Sequence, residues 1–366
     1  MPCREPKGCD SLPDTATCFD SGVSRMTRKP HMSGLQATAE LDLTGLPLPR
    51  RVQLRVATRL IDGFFGGLGS MSRHQPLANP KRHGVAVERN VPYAPGGSRA
   101  HLCDVYRPAA SEGPLPVVLY AHGGGFRKLS KETHWLMGLI FARRGFLTYN
   151  INYRLAPEFP FPAPLEDCGT ALEFVLRDAP ARGGDLDRLV IAGESAGANL
   201  ATALSIESCY RRPEAWAKSI WDLGVVPKAV VPACGYLQVT NAARFGERSR
   251  IPSWLADYSA FCGDSYIGIA GAQPREETML ADPLLIFEAG QAPDRPLPAY
   301  FASVGTKDPL MVDTQRFAAA LEKLGANCEA RYYPGGIHAF HAFIWQRRAR
   351  QCWRDTFDFL DRVLAA

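Results

Sequence analysis

The sequence predicts an α/β chain built on one mostly parallel, eight-stranded sheet with helices on both faces. Two observations carry this expectation. Apolar runs of strand length alternate with amphipathic segments of helical length along most of the chain, which is the pattern of parallel strands joined by helical crossovers. The 366 residues are also 46% hydrophobic, enough for a large core. A third observation breaks the alternation. Residues 241–273 hold Phe245, Trp254, Tyr258, Phe261 and Tyr266 and fall between two predicted strands. An insertion of this kind is expected over the carboxyl edge of the sheet, where open α/β folds bind ligands.

The elements follow in order. Residues 1–33 are polar and aperiodic and read as a disordered tail. Val52, Val56, Leu60 and Phe64 recur every fourth residue, which predicts an amphipathic helix over 50–65, ended by the glycines of 63–69. A basic, proline-containing linker spans 72–82. Strands over 86–94 and 101–107 flank Pro95-Gly96-Gly97, a hairpin signal. The alternation then gives a strand (117–121), helix (131–144), strand (147–153), helix (163–177), strand (189–192) and helix (196–210). Strands over 229–233, 299–304 and 328–333 and helices over 314–324 and 343–364 complete the series.

Composition excludes several classes. No run of 18 apolar residues occurs, so no membrane-spanning helix is expected. The net charge of +5 is dispersed in short pairs such as Arg143-Arg144 and Arg347-Arg348. Nucleic-acid binding needs a concentrated basic face and is not expected. The ten cysteines are scattered singly, without C-x-x-C or zinc spacing, and read as buried reduced thiols. The N-terminal charges precede no apolar segment of a secretory signal, so a cytoplasmic setting is the expectation.

Chemistry concentrates in three places. Gly193-Glu194-Ser195-Ala196-Gly197 lies between a predicted strand and helix, the setting in which G-x-S-x-G holds a nucleophile. A tight turn there projects the Ser195 hydroxyl, and the flanking positions must be small because neighbouring backbone comes close. The following helix aims free N–H groups at the same point. His122-Gly123-Gly124-Gly125-Phe126 follows the 117–121 strand. Its glycines let backbone N–H groups approach a ligand, which suits an oxyanion hole in acyl transfer. It lacks the Gly-Lys-Ser/Thr and G-x-G-x-x-G of phosphate loops. His122 is expected to anchor this loop.

A serine nucleophile needs a base and an orienting carboxylate. His31, His74, His83 and His101 lie in the tail, linker and first strands, and His134 in the helix after the glycine loop. His338 follows a strand and the turn Tyr333-Pro334-Gly335-Gly336, which puts it on a loop at the carboxyl edge. His341 is expected to enter or cap the last helix. Without the H-E-x-x-H glutamate this histidine pair makes no metal site, and neither a metal nor a cofactor is expected. The acid should fall between Ser195 and His338. Asp308, just past the 299–304 strand, is favoured over Asp313, which has the look of an N-cap for the helix at Thr314.

At this point the sequence resembles the hormone-sensitive-lipase-like (bacterial family IV) carboxylesterases of α/β-hydrolase fold. The motifs are His122–Phe126, Tyr153-Arg154-Leu155-Ala156-Pro157-Glu158 with Phe161-Pro162 and Leu165-Glu166-Asp167, Gly193–Gly197 with Asn199, and Asp308-Pro309-Leu310 with His338-Ala339-Phe340. The resemblance covers roughly residues 85–364. It implies Ser195 as nucleophile, His338 as base and Asp308 as its orienter, with an oxyanion hole from the N–H groups of Gly124, Gly125 and Ala196. It also implies a helical cap made of an N-terminal part (34–84) and the 241–275 insertion, between core segments 85–240 and 276–366. Phe126, Phe64, Trp254 and Tyr258 would bind substrate, with Phe65 and Phe261 helping to roof a small pocket. Two departures stand out: Glu194 where the family usually shows Asp or Thr, and Ala198 where a third glycine is common. The expected partner is a small-molecule ester, and a second copy of the chain is left open. Two competing readings are an arylformamidase-like amide hydrolase and a small-molecule receptor, the latter disfavoured because His338 is present.

Overall fold

The computed structural model describes residues 47–72, 75–245, 252–269 and 273–365; the expected tail over 1–33 lies outside them. In chain order the main elements are α1 (Leu48–Ser72), β1 (Val85–Pro92), β2 (Leu102–Pro108), β3 (Leu115–Ala121), α2 (Trp135–Arg143), β4 (Leu147–Ile151), α3 (Ala163–Asp178), β5 (Gly184–Glu194) and α4 (Ala196–Cys209). They continue with α5 (Ala215–Asp222), β6 (Ala229–Ala233), α6 (Ser253–Ile267), α7 (Pro283–Glu288), β7 (Ala299–Gly305), α8 (Met311–Lys323), β8 (Cys328–Tyr333) and α9 (Arg347–Ala365).

The eight strands form one sheet in the order β1-β2-β4-β3-β5-β6-β7-β8. β1 and β2 pair antiparallel, as the hairpin signal requires, and β2 meets β4 antiparallel. From β4 across to β8 every pairing is parallel. Strands buried on both faces must be apolar on both, which is why β3, β6 and β7 read as continuous apolar runs. One face carries Leu119, Ile191 and Val230 against α3 and α4; the other carries Val118, Val190 and Ala192 against Phe141 of α2 and Phe357 of α9.

The topology sets the site. After β3 the chain moves outward to β4, then crosses back to β5 on the other side of β3. The order therefore reverses between β3 and β5, and a crevice opens at their carboxyl ends. Ala121 pairs with Gly193 there, so the glycine loop and the serine turn emerge side by side.

Several boundaries differ from expectation. α1 does not stop at the glycines but runs through them to Ser72. Each glycine weakens a helix by only about 1 kcal/mol, and no proline intervenes before Pro76. Its apolar stripe is not the face it buries: Leu48, Val52, Val56 and Leu60 are 72%, 54%, 52% and 68% exposed, whereas Leu54 and Thr58 are buried. The reason is tertiary. Arg50, one turn before Leu54 on the same side of α1, donates from Nη2 and Nε to the Asp257 carboxylate of α6 at 2.8 and 3.1 Å. α2 begins at Trp135, four residues later than expected, α8 begins at Met311, and α9 begins at Arg347 after a short 3-10 turn, Phe340–Ala342. The helices α5 and α7 were not anticipated; both are short, and a segment of six to eight residues barely shows a helical period.

Within the core, Glu207 of α4 is fully buried. Burial, then repulsion from Glu214, pushes its carboxyl well above the usual glutamate range, so the folded chain keeps a proton the unfolded chain releases. Stability should then fall as pH rises above about 4.5, by up to about 1.4 kcal/mol per pH unit, until the folded group ionises. Glu207→Gln should remove that slope. Thermal midpoints of variant and wild type should meet near about pH 5 and separate toward about pH 8, the variant higher. Parallel curves would show that the carboxyl is not desolvated.

Candidate active site

Ser195 follows the last residue of β5 and stands at the N-cap of α4 with a positive φ of 53° and ψ −114°. The turn is held by its N–H, which donates to Ala233 O at 2.9 Å. The flanking glycines are required by contact: a Cβ on Gly193 would lie 2.3 Å from Gly197 O, and one on Gly197 would lie 2.1 Å from Ala121 O. The expectation that both positions must be bare thus has a direct steric cause.

The Ser195 hydroxyl lies 3.0 Å from His338 Nε2, and His338 Nδ1 lies 2.9 Å from Asp308 Oδ2. Asp308 is buried at 4% exposure and also accepts from Leu310 N at 2.8 Å through Oδ1. An acceptor at Nδ1 places the ring proton there and leaves the Nε2 lone pair to receive the serine O–H. Burial works against a charge on His338, but the Asp308 carboxylate outweighs it by charge and hydrogen bond, with Glu194 adding, and the histidine pKa is raised.

The glycine loop leaves β3 beside this relay. Gly124 and Gly125 take left-handed conformations, φ 119° and 61°. Among the described residues, no backbone acceptor is bonded to the N–H of either. Ala196 N belongs to the first turn of α4, whose N–H groups have no intrahelical partner. The glycine loop and the serine turn leave adjacent strand ends, Ala121 and Gly193, so their unbonded backbone donors and the Ser195 hydroxyl belong to neighbouring loops. That combination can receive a carbonyl carbon and stabilise the oxygen that becomes negative.

The sequence matches the model of the alpha/beta hydrolase fold family over residues 118–342, more than half of the chain. The chain belongs to this family. Its relatives agree: the carboxylesterase NlhH of Mycobacterium tuberculosis is 29% identical over 242 residues, covering 65% of this chain and 70% of that one. Among solved structures, a bacterial heroin esterase superposes with TM-score 0.67 at 24% identity, covering 88% of this chain and 95% of its own. A hormone-sensitive-lipase homologue, EstE7, from a metagenome library gives 0.64 at 22% identity, covering 86% and 98%. The resemblance drawn from the motifs is met at the level of family and fold.

The rest of this alpha/beta hydrolase's site departs from the sequence reading in instructive ways. Asp313 is no N-cap: it lies inside the first turn of α8, fully buried, and accepts from Leu237 N and Gln238 N at 3.1 and 3.2 Å and from Arg244 Nη2 at 2.9 Å. It ties down the segment after β6. His122 is buried, with Nδ1 2.7 Å from Gly123 O and its ring stacked 4.3 Å from Tyr153, whose hydroxyl donates to His122 O. Burial, then His134, lowers its pKa to about 3, so it stays neutral and braces the loop. His341 does not enter or cap α9; it sits in the preceding 3-10 turn and contacts Glu194.

Phe126 is 0% exposed, its ring stacked 3.7 Å on Tyr266 of α6. It presents no accessible surface to a substrate and instead fastens the glycine loop to the insertion. Arg127 adds to that fastening, its guanidinium 3.9 Å over the Phe261 ring, and a Cβ on Gly125 would touch Cys262 Sγ at 2.6 Å. Trp254 and Tyr258 are partly buried on α6. The side chains of Phe64 and Phe65 lie outside the described residues. Among the described residues, Cys234, Asp308 and His338 hold ligand-type atoms within 4.8 Å of one another. Two of the three are already bonded together, and burial, then Asp308, pushes the Cys234 thiol up, away from the thiolate a metal would need.

Proposed function

We propose that the chain is a serine carboxylesterase acting on short- to medium-chain carboxylic esters through an acyl-Ser195 intermediate. The observation that carries it is the Ser195–His338–Asp308 relay, with separations of 3.0 and 2.9 Å; we assign the oxyanion hole to the N–H groups of Gly124, Gly125 and Ala196. His338 takes the hydroxyl proton as Ser195 Oγ attacks the ester carbonyl carbon. The oxyanion forms against the three N–H groups, and collapse expels the alcohol, which receives the proton from His338. Water then repeats the sequence on the acyl-enzyme and releases the acid. Asp308 holds the ring and stabilises its cationic form.

This reading has a pH signature. His338 must be neutral to accept the proton, so kcat/KM should fall as pH drops through a value above the ordinary histidine range of about 6.5. Asp308→Asn should move that limb to lower pH and reduce kcat by about 10^4. An unmoved limb would deny Asp308 its part.

The substrate range follows from a roof that we assign to α1 and α6 together, the two helices joined by Arg50 and Asp257. Each added methylene gains about 0.8 kcal/mol by burial, but overfilling a closed pocket costs about 1–3 kcal/mol. Acyl chains up to roughly eight carbons should be preferred. A series of p-nitrophenyl esters, run on the full chain, on a chain lacking residues before Leu46 and on one lacking residues through Gly69, tests this. Full activity without residues 46–69, or a preference for sixteen carbons, would refute the roof. N-formylkynurenine assayed beside a short aryl ester separates esterase from formamidase. No helix of the described residues is long and apolar enough to cross a membrane. The seven described cysteines are joined in no disulfide, and we assign the chain a reducing, cytoplasmic setting.

A further inference from the structure

Glu194 is the last residue of β5 and the immediate neighbour of Ser195, yet its side chain is buried at 6% exposure. A buried carboxylate needs partners, and those of Glu194 come from two distant loops. Its Oε1 is hydrogen-bonded to His134 Nε2 at 2.9 Å, and its Oε2 lies 2.9 Å from His341 Nε2 in a close ionic contact that is not aligned as a hydrogen bond. His134 ends the segment that begins with the glycine loop, and its Nε2 is also 3.3 Å from Gly123 N. His341 stands three residues after His338. The carboxylate packs directly on the glycine loop as well: a Cβ on Gly123 would lie 2.9 Å from Oε1. Burial opposes a charge here, but His134, then His341, hold the carboxyl well below the usual glutamate range.

We propose that Glu194 is a positioning residue: one carboxylate, gripped by His134 and His341, sets the spacing between the oxyanion loop and the base-bearing loop around Ser195. The inference rests on the serine esterase reading and deepens it. Among the described residues, Glu194 makes no hydrogen bond to Ser195 Oγ, His338 or Asp308, so it acts through the loops. The three catalytic parts lie on separate connections, after β3, β5 and β8, and nothing local to any one of them sets its distance to the others. Glu194 touches all three. A displacement of about 1 Å in such a site costs about 10^2 in rate.

The test uses p-nitrophenyl butyrate with the wild type, Glu194→Gln, His341→Gln and the double variant, together with the rate at which a p-nitrophenyl phosphonate labels Ser195. Glu194→Gln keeps the shape but loses the anion that both imidazoles bind. Its kcat should fall about ten- to a hundredfold with KM within about threefold, and phosphonylation should slow by the same factor. Glu194→Asp, which keeps the charge with a shorter reach, should recover part of kcat. The His341→Gln loss should be smaller and should not add to that of Glu194→Gln. A Glu194→Gln kcat within twofold of wild type would overturn the proposal. So would fully additive losses in the double variant, or a kcat loss that only tracks the folded fraction in thermal melts. Should Glu194→Gln fail to fold, His341→Gln alone must still show the selective kcat loss. If the wild type turns over no ester faster than Ser195→Ala, it is the esterase reading that fails.

Discussion

Ser195→Ala should lower ester turnover by about five to six orders of magnitude while leaving the fold intact. The change removes a single atom, Oγ, whose described contact is the 3.0 Å approach to His338 Nε2. The turn that holds residue 195 does not depend on that atom, because it is built by Ser195 N donating to Ala233 O and by Ser195 O accepting from Asn199 N and Tyr236 N. The positive φ of 53° costs alanine about what it costs serine. A thermal midpoint close to wild type, retained binding of a non-hydrolysable ester analogue and loss of p-nitrophenyl butyrate turnover are the expected set. Substantial hydrolysis by the variant would remove Ser195 from the mechanism. His338→Ala should behave in the same way, because the hydroxyl is a weak nucleophile without its base.

Gly124→Val should cost about 10^2–10^3 in kcat, through backbone geometry alone. Gly124 adopts φ 119°, where residues with side chains are strained, and its Cβ would stand 2.0 Å from Lys128 O. The turn is closed tightly because Gly124 O accepts from both Arg127 N and Lys128 N at 3.1 Å. A valine must open that turn, and the N–H groups of Gly124 and Gly125 move with it. Losing one oxyanion donor is worth about 2.7–4 kcal/mol of transition-state stabilisation. Gly96→Val supplies the control. Gly96 also has a left-handed φ, 101°, but a Cβ there meets nothing within 4 Å. It should lose stability and keep its turnover. Equal kcat losses in the two variants would show that the Gly124 effect is general strain rather than displaced donors.

Much of this molecule is legible in its sequence where the cause is local. The strand β6 occupies the residues read for it, and β3, β5 and β7 contain theirs, because central parallel strands are buried on both faces and need apolar runs; the edge strand β8 also matches its reading, Cys328–Tyr333. The serine turn is legible because two bare positions flanking one serine between a strand and a helix have a steric cause within five residues. Asp308 and His338 are read from chain order and loop position, and the structure sets His338 Nε2 3.0 Å from Ser195 Oγ and His338 Nδ1 2.9 Å from Asp308. Helix ends were less legible. The start of α8 and the continuation of α1 through its glycines depend on small propensity differences that packing overrides.

What the sequence by itself determined, then, is the succession of elements and the identity of the residues delivered to the carboxyl edge. Only the tertiary structure decided who meets whom. Glu194 stands 60 residues from His134, and no period or motif relates it to either imidazole; its departure from the usual residue was the lone signal. Asp313 looked like a cap until the segment after β6 folded against it and took up its oxygens. Phe126 looked like a substrate contact until Tyr266 of α6 stacked on it. The apolar stripe of α1 faces outward because the helix buries another side, at Leu54 and Thr58. The physical reason is common to all four. Burial and partnership belong to the surroundings that distant segments supply, whereas secondary structure and turn sterics are set by neighbours along the chain.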